Sequence, residues 1–200
     1  AYTCPESVTV ASGSEALRLA VDSLAFAPVV EAVAVPRMDR TAFVSASFTN
    51  ASDEPLLPGE AMLYREGVLV GNAWLDVIAP GVETDVGFGA LETLRIKREM
   101  PKLATGETGV FTTSNERRES AVITVENTGA EAWPVRLLDL VPYSEQEDLE
   151  IEVTADPAPS ETDVDGQRGI LAWEFELAAG GKQTITLEQT LSWPEGMVLR

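Results

Sequence analysis

A two-residue alternation of apolar and polar side chains constrains this chain more than any other feature. Leu171, Trp173, Phe175 and Leu177 alternate with Ala172, Glu174 and Glu176. Ile185, Leu187, Gln189, Leu191 and Trp193 alternate with Thr184, Thr186, Glu188, Thr190 and Ser192. Leu149, Ile151 and Val153 alternate with Glu150, Glu152 and Thr154. Successive side chains of a strand point to opposite faces, so each run has one buried and one wetted face. Antiparallel sheets carry this pattern, whereas strands covered on both faces read as unbroken apolar runs.

Turn chemistry separates the runs. Asn50-Ala51-Ser52-Asp53, Pro58-Gly59, Pro80-Gly81, Asn127-Thr128-Gly129, Asp165-Gly166 and Gly180-Gly181 all punctuate apolar stretches. Tyr64 to Val70 reads as a hairpin around Glu66-Gly67. Strand-like segments recur about every 10 residues, the spacing of sandwiches and barrels. Ser14–Leu24 fits a helical stripe and a strand equally well; its flanking strand patterns favour the strand. The expected fold class is all-β, with two antiparallel sandwich-like modules and little helix. Met100-Pro101-Lys102-Leu103-Ala104-Thr105-Gly106 breaks the alternation, so the modules are expected at residues 1–104 and 105–200. No internal repeat is apparent in the residues.

Composition removes several chemistries. The 200 residues hold 33 acids, 14 Lys and Arg, and no histidine, for a formal net charge of −19. Without histidine there is no Ser-His-Asp triad and no imidazole metal ligand. The single cysteine, Cys4, forms no intramolecular disulfide and no Cys-rich zinc site. The charge opposes general attraction to nucleic acid or anionic membrane. No stretch approaches the ~18 apolar residues of a membrane span. Ala1 in place of a methionine reads as the start of a processed or excised piece.

A family resemblance rests on an ordered set of short motifs. Ala34-Val35-Pro36-Arg37, Ala42-Phe43 and Phe48-Thr49-Asn50 are followed by Leu56-Leu57-Pro58-Gly59. Gly67-Val68-Leu69-Val70-Gly71, Ala79-Pro80-Gly81 and Gly87-Phe88-Gly89 come next. Val125-Glu126-Asn127, Val141-Pro142-Tyr143-Ser144, Asp165-Gly166, Trp173-Glu174 and Trp193-Pro194 complete the series. This order resembles the C-terminal domain of unknown function of the mucoidy-inhibitor-A-like bacterial proteins, over about residues 5–195. Arg65-Glu66-Gly67 stands where that family often has an Asp-Gly turn. The resemblance implies a longer protein, with a β domain and a coiled coil ahead of this region. It also implies export to the cell envelope, periplasmic or extracellular, and a link to exopolysaccharide, without a biochemical activity.

Candidate sites are few. Between Ser144 and Asp165 stand nine acids and no base, and Asp163-Val164-Asp165-Gly166 is a fragment of a cation-binding loop. The continuation Gln167-Arg168-Gly169-Ile170 lacks the remaining ligands, so a solvated strand face and a β-turn are the favoured reading. Trp74, Trp133, Trp173 and Trp193 could stack on sugar rings, but core or rim packing is the favoured reading for each; Trp173 and Trp193 fall on apolar sides, and Trp133 ranks as the most open of the four. Gly87-Phe88-Gly89 and Ser12-Gly13-Ser14 lack the context of a phosphate loop. The three lysines, Lys97, Lys102 and Lys182, form no Ser-x-x-Lys pair.

No catalytic residue, cofactor-binding residue or metal ligand is therefore assigned. The expected function is a non-enzymatic structural or interaction region of a larger bacterial cell-envelope protein. The expected partner is a protein or a polysaccharide, with no nucleic acid, no membrane insertion and no cofactor. The first alternative is a carbohydrate-binding module, which requires exposed aromatics on one sheet face. The second is a carboxylate-based hydrolase, which requires two acids in a cleft. Glu150, Glu152, Glu174, Glu176 and Glu188 fill polar strand positions, where they keep sheets soluble and unpaired.

Overall fold

The computed structural model describes residues 20–101 and 114–195, together with Thr9, Ser12 and Gly13. Ser14–Leu24 lies outside the described residues except for Ala20 to Leu24, which have no regular structure. Cys4 and Lys102 also lie outside them.

The regular structure of the described residues is nearly all strand. In order come β1 (Val29–Ala34), β2 (Thr41–Thr49), β3 (Gly59–Arg65), β4 (Val68–Leu75), β5 (Glu83–Glu99) and β6 (Ser114–Asn127). Then follow β7 (Trp133–Leu140), β8 (Glu150–Asp156), β9 (Glu161–Thr162), β10 (Ile170–Leu177) and β11 (Lys182–Pro194). One short 3₁₀ turn, Val164–Gly166, interrupts them. Nine strands form one sheet in the order β8-β11-β6-β5-β2-β1-β7-β10-β9, and β3 and β4 form a separate pair. All neighbours are antiparallel except β1 and β7, which run parallel through Ala32↔Val135 to Ala34↔Leu137.

The alternations place the core. Ile123, Val125, Ile185 and Leu187 from one arm of the sheet share a cluster with Val135, Leu137, Leu171 and Trp173 from the other. Strands that stand far apart in the hydrogen-bonded order thus meet face to face, so the sheet wraps over its own core. The long strand β5 links the arms: Glu83 to Leu91 and Arg95 pair with β2, and Leu94 to Glu99 pair with β6. Strands from both sides of residue 104 therefore share one sheet, through β5–β6 and β1–β7. The expected boundary itself falls within 102–113, outside the described residues.

The edge strand β8 shows why the acids sit where they do. Ile151, Val153 and Ala155 turn toward the core, while Glu150, Glu152 and Asp156 are exposed. A row of carboxylates on a sheet edge discourages pairing with another strand.

The backbone pairing does contain a repeat, contrary to the reading of the residues. Asn50 immediately follows β2, and its N–H donates to Val82 O at 3.0 Å. Asn127 ends β6, and its N–H donates to Gly181 O at 2.9 Å. Both side chains are buried and tie the same loop to the same turn. Asn50 Nδ2 donates to Glu54 O (3.0 Å) and Ile78 O (2.9 Å). Asn127 Nδ2 donates to Glu131 O (2.7 Å), Leu177 O (3.2 Å) and Ala178 O (3.1 Å). Six residues past each asparagine the next ladder opens, with Leu56 opposite Ile78 and Trp133 opposite Leu177. The register then stays in step: Gly59↔Leu75 and Glu60↔Trp74 match Arg136↔Glu174 and Leu137↔Trp173. The β2-β3-β4-β5 unit thus has the ladder plan of β6-β7-β10-β11. The side chains between the two asparagine corners differ, which hid the repeat.

Candidate interaction surface on the β3–β4 hairpin

The hairpin turns as its sequence demands. Glu66 has φ 52° and Gly67 has φ 79°, and Arg65 pairs directly with Val68. Two positive φ values in a two-residue loop define a type I′ turn, whose twist suits antiparallel strands. Glycine is at ease there, but Glu66 meets a steric cost that Asn or Asp bears better.

Its inner face is seated on β5. Leu63 is buried, and Ala61, Val70 and Ala73 are partly covered. Arg65 turns inward and donates to Phe88 O (3.3 Å) and Ala90 O (3.4 Å). At Gly89, with φ 79°, a Cβ would sit 3.3 Å from Val70 O, so glycine permits this close approach. A two-stranded hairpin is marginal by itself, and this seat supplies the support it needs.

Among the described residues, the outer face has no such cover. Met62, Tyr64, Leu69 and Trp74 are all exposed there, Trp74 at 70%. Glu60 lies opposite Trp74 and accepts a hydrogen bond from Asn72 Nδ2 at 2.8 Å. Tyr64 Oη lies 3.8 Å from Met62 Sδ. Between them is an open, shallow depression of about 350 Å³ lined by Glu60, Met62, Leu69, Gly71 and Asn72. Apolar side chains gathered on a stable surface mark binding sites more often than isolated ones do.

The tryptophans correct one expectation: Trp74, expected to pack in the core or at its rim, is exposed. Trp133, ranked the most open of the four, is half-buried against the core, because it opens the β7–β10 ladder beneath the Asn127 corner. Trp173 is buried as expected and donates from Nε1 to Pro157 O at 2.9 Å. Trp193 is half-buried at the end of β11. Trp74 is the exposed one, and Tyr64 shares its face. Alternation alone assigns Trp74 to a strand but not to an open face.

The remaining candidates resolve into local structure. Asp163 precedes the 3₁₀ turn and Asp165 lies within it, with φ 54° and 53°, and Asp163 Oδ1 accepts the Gly169 N–H at 2.8 Å. Among the described residues, no three Cys, Asp or Glu side chains converge as a metal site. Gly87-Phe88-Gly89 lies inside β5 rather than before a helix.

Two charged groups went unnoticed in the sequence. Asp139 lies on the inward side of β7, in step with Val135 and Leu137. Its carboxylate is buried and accepts from Arg37 Nε (2.7 Å), Arg98 Nε (3.0 Å) and the Leu140 N–H (2.8 Å). A buried charge of this kind is tolerated because donors meet both oxygens. An acid in phase with apolar neighbours was the available signal. On the opposite face, Arg136 bridges Glu161 (2.9 Å) and Glu174. Nearby Glu31 has its pKa raised by partial burial and by the charges of Glu174 and Asp85, against the opposing pull of Arg136.

The fold and surface define a class before any relative does: an all-β domain with a covered core and one uncovered aromatic hairpin. Residues 1–195 match the family described as Domain of unknown function (DUF4139), and the chain belongs to that family. It is also similar to Protein F37C4.5 of Caenorhabditis elegans, with 22% identity over 177 residues. The match covers 84% of this chain but 32% of that protein, so the chain spans about a third of the relative's length. No solved structure matches the chain significantly. No helix among the described residues is long and apolar enough to cross a membrane.

Proposed function

We propose that this chain is a non-enzymatic interaction region of a larger protein, and that the outer face of the β3–β4 hairpin is its contact surface. The supporting observation is the set Met62, Tyr64, Leu69 and Trp74, exposed together on a hairpin that β5 holds from beneath. Interfaces are enriched in aromatic residues and methionine relative to the rest of a surface. Placement in a bacterial cell envelope belongs to this reading and draws its support from the ordered motifs Val35-Pro36-Arg37 to Trp193-Pro194. Fractionation of cells carrying the full-length protein tests that placement; recovery in the cytoplasm alone would refute it.

A photo-crosslinking amino acid at Leu69 or Trp74 of the full-length protein tests the contact surface. The expected result is a discrete adduct from these positions and none from exposed Glu176. Equal adducts from all three positions, or none from any, would contradict the assignment.

One observation favours carbohydrate as a second reading. Trp74 and Tyr64 share a face with the Glu60 carboxylate and the Asn72 amide, groups that stack on sugar rings and bind hydroxyls. Affinity electrophoresis through gels containing neutral and anionic polysaccharides separates the two readings. Retardation that disappears in Trp74→Ala supports the sugar reading, and unchanged mobility removes it.

A further inference from the structure

We infer that the occupant of the hairpin face is a cationic, amphipathic protein segment, one with Lys or Arg interleaved with apolar side chains. This rests on the reading of the hairpin as a contact surface and adds the chemistry of the partner.

The first argument is charge. Between Asp53 and Asp85 the chain has seven acids and one base. That base, Arg65, is turned inward onto the carbonyls of Phe88 and Ala90, so it offers no charge to the outer face. Glu60 lies within the face, Asp76 follows Trp74 two residues on, and Glu66 tops the turn; all three are exposed. The apolar centre is thus rimmed by carboxylates. A complementary partner needs apolar groups for the centre and cations for the rim.

The second argument weighs against a second copy and a lipid surface. A second copy brings its own formal charge of −19. Symmetric pairing through this face would bring two carboxylate-rimmed surfaces together, with no cation on the outer face among the described residues to relieve them. An anionic lipid surface meets the same repulsion.

The third argument comes from the repeat. On the Asn127 side, the position matching Trp74 is Trp173, and the position matching Glu60 is Leu137. Trp173 and Leu137 are buried under the facing strands of the core. The ladder that carries this pair is therefore compatible with cover by protein. Replacing Leu137 by the acid Glu60 at the matching position suits cover that brings a positive charge.

A random peptide library panned on the 200-residue chain tests this, with counter-selection on Trp74→Ser. A charge-reversed chain, Glu60→Lys with Asp76→Lys, provides the second arm. Thermal melts of both variants check that they fold, as all three positions are exposed. The expected result is enrichment of peptides in which Lys or Arg alternates with apolar residues. Their binding should fall roughly thirtyfold or more in Trp74→Ser, as for an interface anchor. The charge-reversed chain should select acidic peptides instead. Trp74-dependent peptides that are neutral or acidic would overturn the cationic partner and leave the contact surface standing. Absence of any Trp74-dependent peptide would overturn both. Sedimentation as a dimer that Trp74→Ser dissociates would assign the face to a second copy and overturn the inference.

Discussion

The β3–β4 and β7–β10 pairs are the same ladder in two settings. Each opens six residues past a buried asparagine and keeps the same register, yet Trp173 has 2% of its surface exposed and Trp74 has 70%. The register is a local matter, set by the asparagine corner and the turn that it grips. Burial is a long-range matter, set by which strands lie across the ladder. On the Asn127 side, β1 extends the ladder into the main sheet and the core closes over it. On the Asn50 side, the pair is separate from the sheet, sits on β5 by its inner residues and leaves its outer ones in solvent.

The two tryptophans break this comparison most sharply. Trp173→Ala should cost about 3–5 kcal/mol, the usual loss for a large aromatic removed from a core. Trp74→Ala should change stability by no more than about 0.5 kcal/mol, as for a surface residue. Urea unfolding of the two variants measures both; comparable losses would show that the hairpin face is covered within the chain.

The asparagine corners come next. Asn127→Ala leaves three carbonyls without their amide donor and should cost about 2–3 kcal/mol. Asn50→Ala loses a similar set, but its loop supports the peripheral hairpin. Hydrogen exchange should then speed up at β3 and β4 amides in Asn50→Ala, with β6 and β11 unaffected.

Much of this contrast was legible in the residues, and the rest was not for a definable reason. The alternations of Ile151-Val153 and Leu171-Leu177 and the Glu66-Gly67 turn identified strands, their faces and the hairpin. Alternation reports that two faces differ, but not what lies opposite either face. Trp74 and Trp133 could not be ranked by exposure on that basis, because Trp133 owes its cover to strands distant in the chain. The parallel β1–β7 pairing has no local signature. The paired corners share one asparagine and a following turn, too little to stand out among 15 glycines and the other turn signals. Asp139 was overlooked because its two arginines arrive from the β1–β2 turn and from β5.

Smaller effects sharpen the picture at the turn and on the outer sheet face. Glu66→Asn relieves the cost of a positive φ and should stabilise the hairpin by about 0.5–1 kcal/mol, read as slower exchange across β3–β4. Glu31 has a folded pKa above its ordinary 4.5, so the fold favours its protonated form. Its contribution is fully present below the unfolded value and is lost as pH rises through the folded one. Glu31→Gln should therefore raise the melting temperature slightly at pH 7, with the gain disappearing below about pH 4. A gain that persists unchanged at low pH would point to packing rather than to charge.

The central claim, that the hairpin's outer face is open in this chain and covered in its working assembly, is tested most directly by hydroxyl-radical footprinting. Met62, Tyr64 and Trp74 should react strongly in the 200-residue chain, and Trp173 should not. In the full-length protein isolated from its source with its partners, the account predicts protection of Met62, Tyr64 and Trp74 together. Equal reactivity of these three residues in both preparations would contradict it.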